Sequence, residues 1–77
     1  MREFLRDLRK ERKLSQDDIA KSMGLTQSFY SMIETGERVE RMAIEMAVKF
    51  ANVLGIDSGD FIEREMEWER ENLKEGE

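Results

Sequence analysis

The sequence contains no cysteine, no histidine and no proline. Without cysteine and histidine the chain can form neither a disulfide nor a thiolate or imidazole metal site, and catalysis by these side chains is excluded. The chain also lacks proline, the strongest helix breaker, and all the strong periodicity of its apolar positions is helical. We therefore expect an all-α protein that uses no metal and no cofactor.

Long hydrophobic runs are also missing. No apolar stretch approaches the roughly 20 residues that span a bilayer, and the first residues lack the apolar region of a signal peptide. We therefore expect a soluble, cytoplasmic protein. Its 77 residues suffice for one small domain, whose core is marginal unless the helices pack well or a second chain contributes to it.

Residues 16–35 have the pattern of two short helices joined by a turn. Ser15 can cap the first helix, and Asp18, three positions later, can complete a capping box. Gly24 ends this helix, because a helix C-terminus often needs the left-handed conformation that glycine adopts without strain. Thr26 is the expected N-cap of the second helix.

The second of these helices has an apolar and a polar face. Tyr30 and Ile33, three positions apart, set the inward face. The residues then expected farthest out are Ser28, Met32 and Thr35, with Gln27 and Ser31 at the edges. This outer face has the size and chemistry to lie against base edges in a DNA major groove.

These residues resemble the helix-turn-helix of the lambda-repressor-like (Xre and Cro type) DNA-binding domains. The likeness is carried by Gln16, Ile19, Ala20, Gly24, Tyr30 and Ile33, and by LRDLRKERKLSQ before and VKFANVLGI after them. It implies an all-α, five-helix domain over residues 1–62. The residues that follow, 63–77, are themselves expected to form an acidic helical extension, longer than the short fifth helix common in the family. Tyr30 departs from the family's usual aliphatic residue, so its hydroxyl needs a buried partner or the helix must tilt.

The resemblance also implies a function and a set of site residues. The chain is expected to bind double-stranded DNA as a homodimer on a palindromic operator and to act as a transcriptional repressor, associated with the nucleoid in a prokaryote or phage. The expected base contacts are Gln27, Ser28, Ser31 and Met32, and the expected phosphate contacts are Gln16, Thr26, Arg38 and Arg41. In the family, a basic residue at the position of Arg9 commonly pairs with a glutamate at the position of Glu34.

The net charge of −5 is unusual for a protein that binds phosphates, but it is unevenly distributed. Residues 56–77 carry nine acidic and three basic side chains, whereas residues 1–55 sum to +1. The acidity therefore belongs to the C-terminal segment. Because +1 is still low, we expect modest DNA affinity unless a dimer doubles the contacts.

The fourth helix, expected at residues 41–54, is apolar on two faces. One face is the expected core stripe of Ile44, Ala47, Val48, Ala51 and Leu54, and the other carries Met42, Met46, Phe50 and Val53. A C-terminal helix with Phe61 and Trp68 can cover the second face in the same chain, or a second chain can cover it. We favour the dimer, because a palindromic operator requires two recognition helices. Residues 74–77 are expected to be disordered.

Two other classes of function are compatible with parts of the sequence. A protein-binding module on the same fold, such as an antitoxin or anti-repressor, would use the acidic tail to bind a partner. An enzyme would have to use Asp17, Asp18 or the tail carboxylates, and helix capping and solvation explain these residues better. We therefore expect no enzymatic activity, and DNA binding is the principal expected function.

Overall fold

The computed structural model of the chain describes residues 1–73, which form five helices and no β-strand. The helices are α1 (Glu3–Glu11), α2 (Gln16–Met23), α3 (Gln27–Thr35), α4 (Ile44–Leu54) and α5 (Ser58–Asn72). The all-α, five-helix fold is therefore confirmed. Within the described residues, none of the helices has the length and hydrophobicity that crossing a bilayer requires. The expectation for residues 74–77 falls outside the described part of the chain.

The turn between α2 and α3 forms from the local signals in the sequence. Ser15 and Asp18 make a complete capping box, in which the Asp18 N–H donates to the Ser15 hydroxyl and the Ser15 N–H donates to the Asp18 carboxylate. Gly24 ends α2 with a φ of 73°. The Thr26 hydroxyl then accepts from the Phe29 N–H and starts α3. The N-termini of α2 and α3 are thus satisfied by side chains, and the C-terminus of α2 by the Gly24 backbone N–H.

A row of aromatic rings connects α3, α4 and α5 through the core. Tyr30 lies 6.1 Å from Phe50, and Phe50 stacks on Phe61 at 5.8 Å, measured between ring centroids. Phe4 from α1 meets Phe61 edge-on at 5.4 Å. The remaining buried hydrophobic residues of this core are Leu5, Leu8, Ile19, Ala20, Met23, Ile33, Ala47, Ala51 and Leu54.

Helix α4 differs from its expected position and orientation. It begins at Ile44 instead of near Arg41, and Ile44 is 66% exposed, so its expected place in the core was wrong. Its buried positions are Ala47, Phe50, Ala51 and Leu54. The physical reason is that Phe50 is drawn inward by the aromatic row, while Ile44, at the first position of the helix, lines a groove with Ile62 and Met66 of α5.

Helix α5 covers α4 within the same chain. Phe61 is fully buried and Trp68 is 8% exposed, so the arrangement in cis, which was expected second to the dimer, is the one observed. Phe50 is likewise buried in cis, whereas Met46 and Val53 are half-buried at the core's edge. One continuous helix spans the division expected between residues 62 and 63.

Candidate nucleic-acid interface

The outer face of α3 carries the four side chains expected to contact bases. Gln27 and Ser28 are exposed at the start of the helix, where a groove is most easily entered. Ser31 and Met32, one turn further on, are half-buried. Met32 was expected among the residues farthest out, and its partial burial leaves only part of its side chain for contact with DNA.

The inner face of α3 is fixed by two fully buried residues, Tyr30 and Ile33. The Tyr30 hydroxyl donates a 2.6 Å hydrogen bond to a carboxylate oxygen of Glu34. Burial and this hydrogen bond raise the pKa of Tyr30, so the phenol stays protonated. The tyrosine that departs from the usual aliphatic residue is therefore accommodated by a partner for its hydroxyl, which was the first of the two expected outcomes.

Glu34 connects three helices through its buried carboxylate. Arg9 of α1 donates to it from Nε at 2.9 Å and from Nη2 at 3.2 Å, and Gln16 of α2 donates at 3.3 Å. Burial alone would raise the pKa of Glu34, but the hydrogen bonds from Arg9, Tyr30 and Gln16 outweigh it and lower the pKa. The ionised carboxylate thus fixes α3 against α1 and α2, which makes the outer face of α3 a rigid surface.

Two of the expected phosphate contacts lie at helix N-termini. The Gln16 side chain was expected to face outward, but it is half-buried and its amide nitrogen is bonded to Glu34. Thr26 is exposed, and its hydroxyl oxygen accepts from Phe29, which leaves the hydroxyl hydrogen to donate. Of these two residues, Thr26 has the geometry of a phosphate donor, whereas the Gln16 side chain mainly supports Glu34.

The other two expected phosphate contacts lie in the 36–43 segment, which connects α3 to α4. Arg38 and Arg41 are both exposed. Arg41 Nη1 lies 4.0 Å from the Glu69 carboxylate of α5. Gly36 starts the segment at a φ of 91°, and a Cβ there would come within 3.1 Å of the Trp68 ring, so both the backbone conformation and the nearby ring favour glycine.

Arg2 is a structural residue that the sequence pattern did not single out. Its side chain is fully buried. The guanidinium donates to Glu65 at 2.8 and 2.9 Å, to the Ile33 carbonyl at 2.6 Å and to the Val39 carbonyl, and it stacks over Trp68 at 4.2 Å. It thereby joins the end of α3, the 36–43 segment and α5.

A spacing signal for Arg2 was present in the sequence. Arg2, Leu5 and Arg9 are separated by three and four positions, so they share one face of a helix. Leu5 is fully buried and Arg9 is buried against Glu34, which shows that this face points inward. An arginine on the same helix face as a core leucine and an ion-paired arginine is a candidate for burial. The sequence pattern did not indicate which residue would be its partner, Glu65.

Comparison with known proteins agrees with this geometry. A family model described as Helix-turn-helix matches residues 5–61. The chain belongs to the lambda-repressor/Xre-like helix-turn-helix family. This is a family of DNA-binding transcription regulators, and it is typically non-enzymatic. No curated protein and no solved structure gives a significant match.

The lambda-repressor/Xre-like match ends inside α5. It includes Phe61, which closes the aromatic core, but not Glu65, Trp68 or Glu69. These three residues contact Arg2, Met1 or the 36–43 segment. The part of α5 beyond the family match therefore packs on the segment that follows the helix-turn-helix.

Among residues 1–73, no group of three or more acidic side chains has the arrangement of a metal site.

Proposed function

We propose that this protein binds a specific double-stranded DNA site by inserting α3, the recognition helix, into the major groove, and that it represses transcription there. The observation that carries the proposal is the contrast between the two faces of α3. Tyr30 and Ile33 are fully buried, while Gln27 and Ser28 at the start of the helix are exposed. The polar side chains are thus presented on a helix fixed from behind, as direct readout requires.

Base readout is assigned to the first two turns of the recognition helix. Gln27 can form a bidentate pair with adenine, and Ser28 and Ser31 can donate to or accept from either type of base. Met32 can pack its exposed portion on a thymine methyl group. Together these side chains favour a half-site rich in A·T pairs.

Phosphate contacts are assigned to Arg38, Arg41 and Thr26, with the N-terminus of α2 at Gln16 as an additional donor. Gln16 lies at the start of the helix-turn-helix, Thr26 lies in its turn, and Arg38 and Arg41 follow it. These groups can therefore fix the orientation of the recognition helix without reading sequence. Because residues 1–55 carry only +1, few counterions are released on binding and the affinity of one subunit is low.

We further propose that two copies bind a palindromic operator. A symmetric dimer places two recognition helices about 34 Å apart, one helical turn of DNA. Since Phe50, Phe61 and Trp68 are buried in cis, the second copy must contact other residues, and Met46 and Val53 remain half-buried candidates. Sedimentation equilibrium measures this directly: a monomer at micromolar concentrations would contradict the dimer.

A second function, as an antitoxin-like or anti-repressor-like module that binds a protein, is favoured by one feature of α5. Glu63, Glu67 and Glu71 are exposed at successive positions four residues apart, and they form an acidic stripe along the helix. Such a stripe fits a basic protein surface. Replacing all three by glutamine separates the functions, because it should abolish capture of a protein partner and leave specific DNA binding intact.

The experiment that tests the proposed function is selection of binding sites from a random duplex pool, performed at two salt concentrations. The expected result is an enriched, palindromic, A·T-rich motif whose affinity falls as salt rises. Enrichment of no motif at either salt concentration would overturn sequence-specific binding. Enrichment of an asymmetric motif would retain DNA recognition and overturn the symmetric dimer.

A further inference from the structure

The 36–43 segment has a backbone conformation that its own residues do not favour. Val39 adopts a φ of 56°, in the left-handed region that β-branched side chains rarely occupy. A conformation of this kind persists only where surrounding contacts impose it. Since the segment carries Arg38 and Arg41, the contacts that impose its shape also determine where two of the candidate phosphate donors lie.

The Arg38 N–H is bonded to the Met32 carbonyl of α3, and several of the other contacts come from α5. Glu69 accepts a 2.9 Å hydrogen bond from the Met42 backbone N–H, and its other oxygen lies 4.0 Å from Arg41. Burial would raise the pKa of Glu69, but hydrogen bonding with Glu65 and with the Met42 N–H lowers it, so the side chain is ionised at neutral pH. One carboxylate of α5 thus contacts two consecutive residues at the end of the segment.

The start and middle of the segment contact α5 through two other residues. Glu65 accepts both hydrogen bonds from Arg2, and the same guanidinium donates to the Val39 carbonyl. The Trp68 ring lies against Gly36, where no Cβ could fit without displacement. The segment is therefore in contact with α5 or with Arg2 near its beginning, its middle and its end.

We infer that Glu69 is a positioning residue for DNA binding: its carboxylate fixes the 36–43 segment so that Arg38 and Arg41 face the phosphate backbone beside the recognition helix. Glu65 contributes to the same task through Arg2. This inference rests on the proposed function. It assigns to an acidic side chain a favourable effect on DNA affinity, which is opposite to the effect of its charge alone.

Two variants of Glu69 distinguish the effect of fixing the 36–43 segment from the effect of the negative charge on DNA affinity. Glu69→Gln removes the charge and keeps a carbonyl oxygen that can accept from the Met42 N–H. Glu69→Ala removes both the charge and the acceptor. Glu67→Ala is the matched control, because Glu67 is exposed on the same helix and its replacement removes one charge without a hydrogen bond to the segment in the described residues.

The measurement is affinity for the duplex recovered from the random pool, over a range of salt concentrations, with circular dichroism to verify folding of each variant. Losing a hydrogen bond to a charged group corresponds to about a tenfold effect, so we expect Glu69→Ala to bind about tenfold more weakly. We also expect the log–log slope of its salt dependence to become shallower by about one unit for each phosphate that is no longer neutralised. Glu69→Gln and Glu67→Ala should bind as tightly as the wild type or more tightly.

Hydrogen exchange of the Met42 backbone amide is measured in parallel without DNA. Protection should be lost in Glu69→Ala and retained in Glu69→Gln and Glu67→Ala. If Glu69→Ala binds the duplex as tightly as Glu67→Ala, charge alone governs affinity and the inference is overturned. If the wild type binds no duplex, the proposed function fails, while the exchange data still show whether Glu69 fixes the segment.

Discussion

Arg2 and Glu65 lie 63 positions apart in the sequence and form two hydrogen bonds, of 2.8 and 2.9 Å, with both side chains buried. The pair joins the first residues of the chain to the part of α5 that lies beyond the family match. The same guanidinium donates to the carbonyls of Ile33 and Val39. An ion pair in this position therefore determines how the recognition helix, the segment after it and α5 are arranged together.

The first prediction concerns removal of the buried cation. Arg2→Ala leaves Glu65 buried without its partner and removes one donor each from the carbonyls of Ile33 and Val39, so the free energy of unfolding should fall by about 3 to 5 kcal/mol. Urea denaturation measures the change. Arg6→Ala is the control, because Arg6 contacts Asp7 on the surface, and it should cost less than about 1 kcal/mol. Equal effects of the two substitutions would contradict the structural role of Arg2.

The second prediction concerns pH. Burial raises the pKa of Glu65 from 4.5 to about 7, although hydrogen bonds from Arg2 oppose the shift and the neighbouring Glu69 adds to it. Between pH 4.5 and pH 7, Glu65 therefore keeps its proton in the folded state and loses it in the unfolded state. The stabilising contribution of Glu65 is complete below pH 4.5 and is lost as pH rises through 7. The chain has no histidine to titrate in this range.

The free energy of unfolding should therefore decrease between about pH 4.5 and about pH 7, on the order of 3 kcal/mol for complete titration. Glu65→Gln should remove this dependence. The lowered pKa values of Glu34 and Glu69 act in the opposite direction and only below about pH 4.5, where their stabilising contributions are lost as pH falls. If the stability of Glu65→Gln still decreases across the same pH range, the effect belongs to another group.

The third prediction concerns the hydroxyl of Tyr30. Tyr30→Phe keeps the buried ring and removes one donor from the Glu34 carboxylate, so unfolding should become easier by about 1 to 2 kcal/mol. Because that hydrogen bond helps to lower the pKa of Glu34, acid unfolding should also begin at a higher pH. Urea denaturation at neutral and acidic pH tests both parts. An unchanged acid transition would mean that Arg9 and Gln16 alone determine the ionisation of Glu34.

The fourth prediction separates base contacts from phosphate contacts. Gln27→Ala should cost roughly 1 to 3 kcal/mol of DNA affinity and relax the preference at one base position. Arg38→Ala should weaken binding to all sequences and lower the salt dependence. Competition between selected and scrambled duplexes at several salt concentrations distinguishes these results. Unchanged binding in both variants would contradict the proposed docking of α3.

The sequence was most informative where structure is determined by near neighbours. The capping box of Ser15 and Asp18, the turn at Gly24 and the inward face of Tyr30 and Ile33 depend on residues within a few positions of one another, and the structure confirms all of them. These elements also define which side of α3 is available for DNA.

The sequence was least informative where distant residues decide the outcome. The burial of Arg2 depends on Glu65 and Trp68, which no short spacing connects to it. The orientation of α4 depends on whether Phe50 or Ile44 faces the core. Each of them belongs to an apolar helix face with the spacing of a core stripe, so the sequence does not distinguish them. Packing of α5 selected Phe50, because an aromatic ring was available at Phe61 to stack on it.

The contacts of Met1 and Arg2 have a consequence for synthesis of the chain on the ribosome. The Met1 carbonyl accepts a 2.7 Å hydrogen bond from the indole of Trp68, and Arg2 is hydrogen-bonded to Glu65. Met1 and Arg2 therefore cannot reach their observed environment until residues 65–68 have been synthesised. Because α2 and α3 precede α5 in the chain, the helix-turn-helix is synthesised before residues 65–69, and the 36–43 segment can make its contacts with Trp68 and Glu69 only after α5 has left the ribosome.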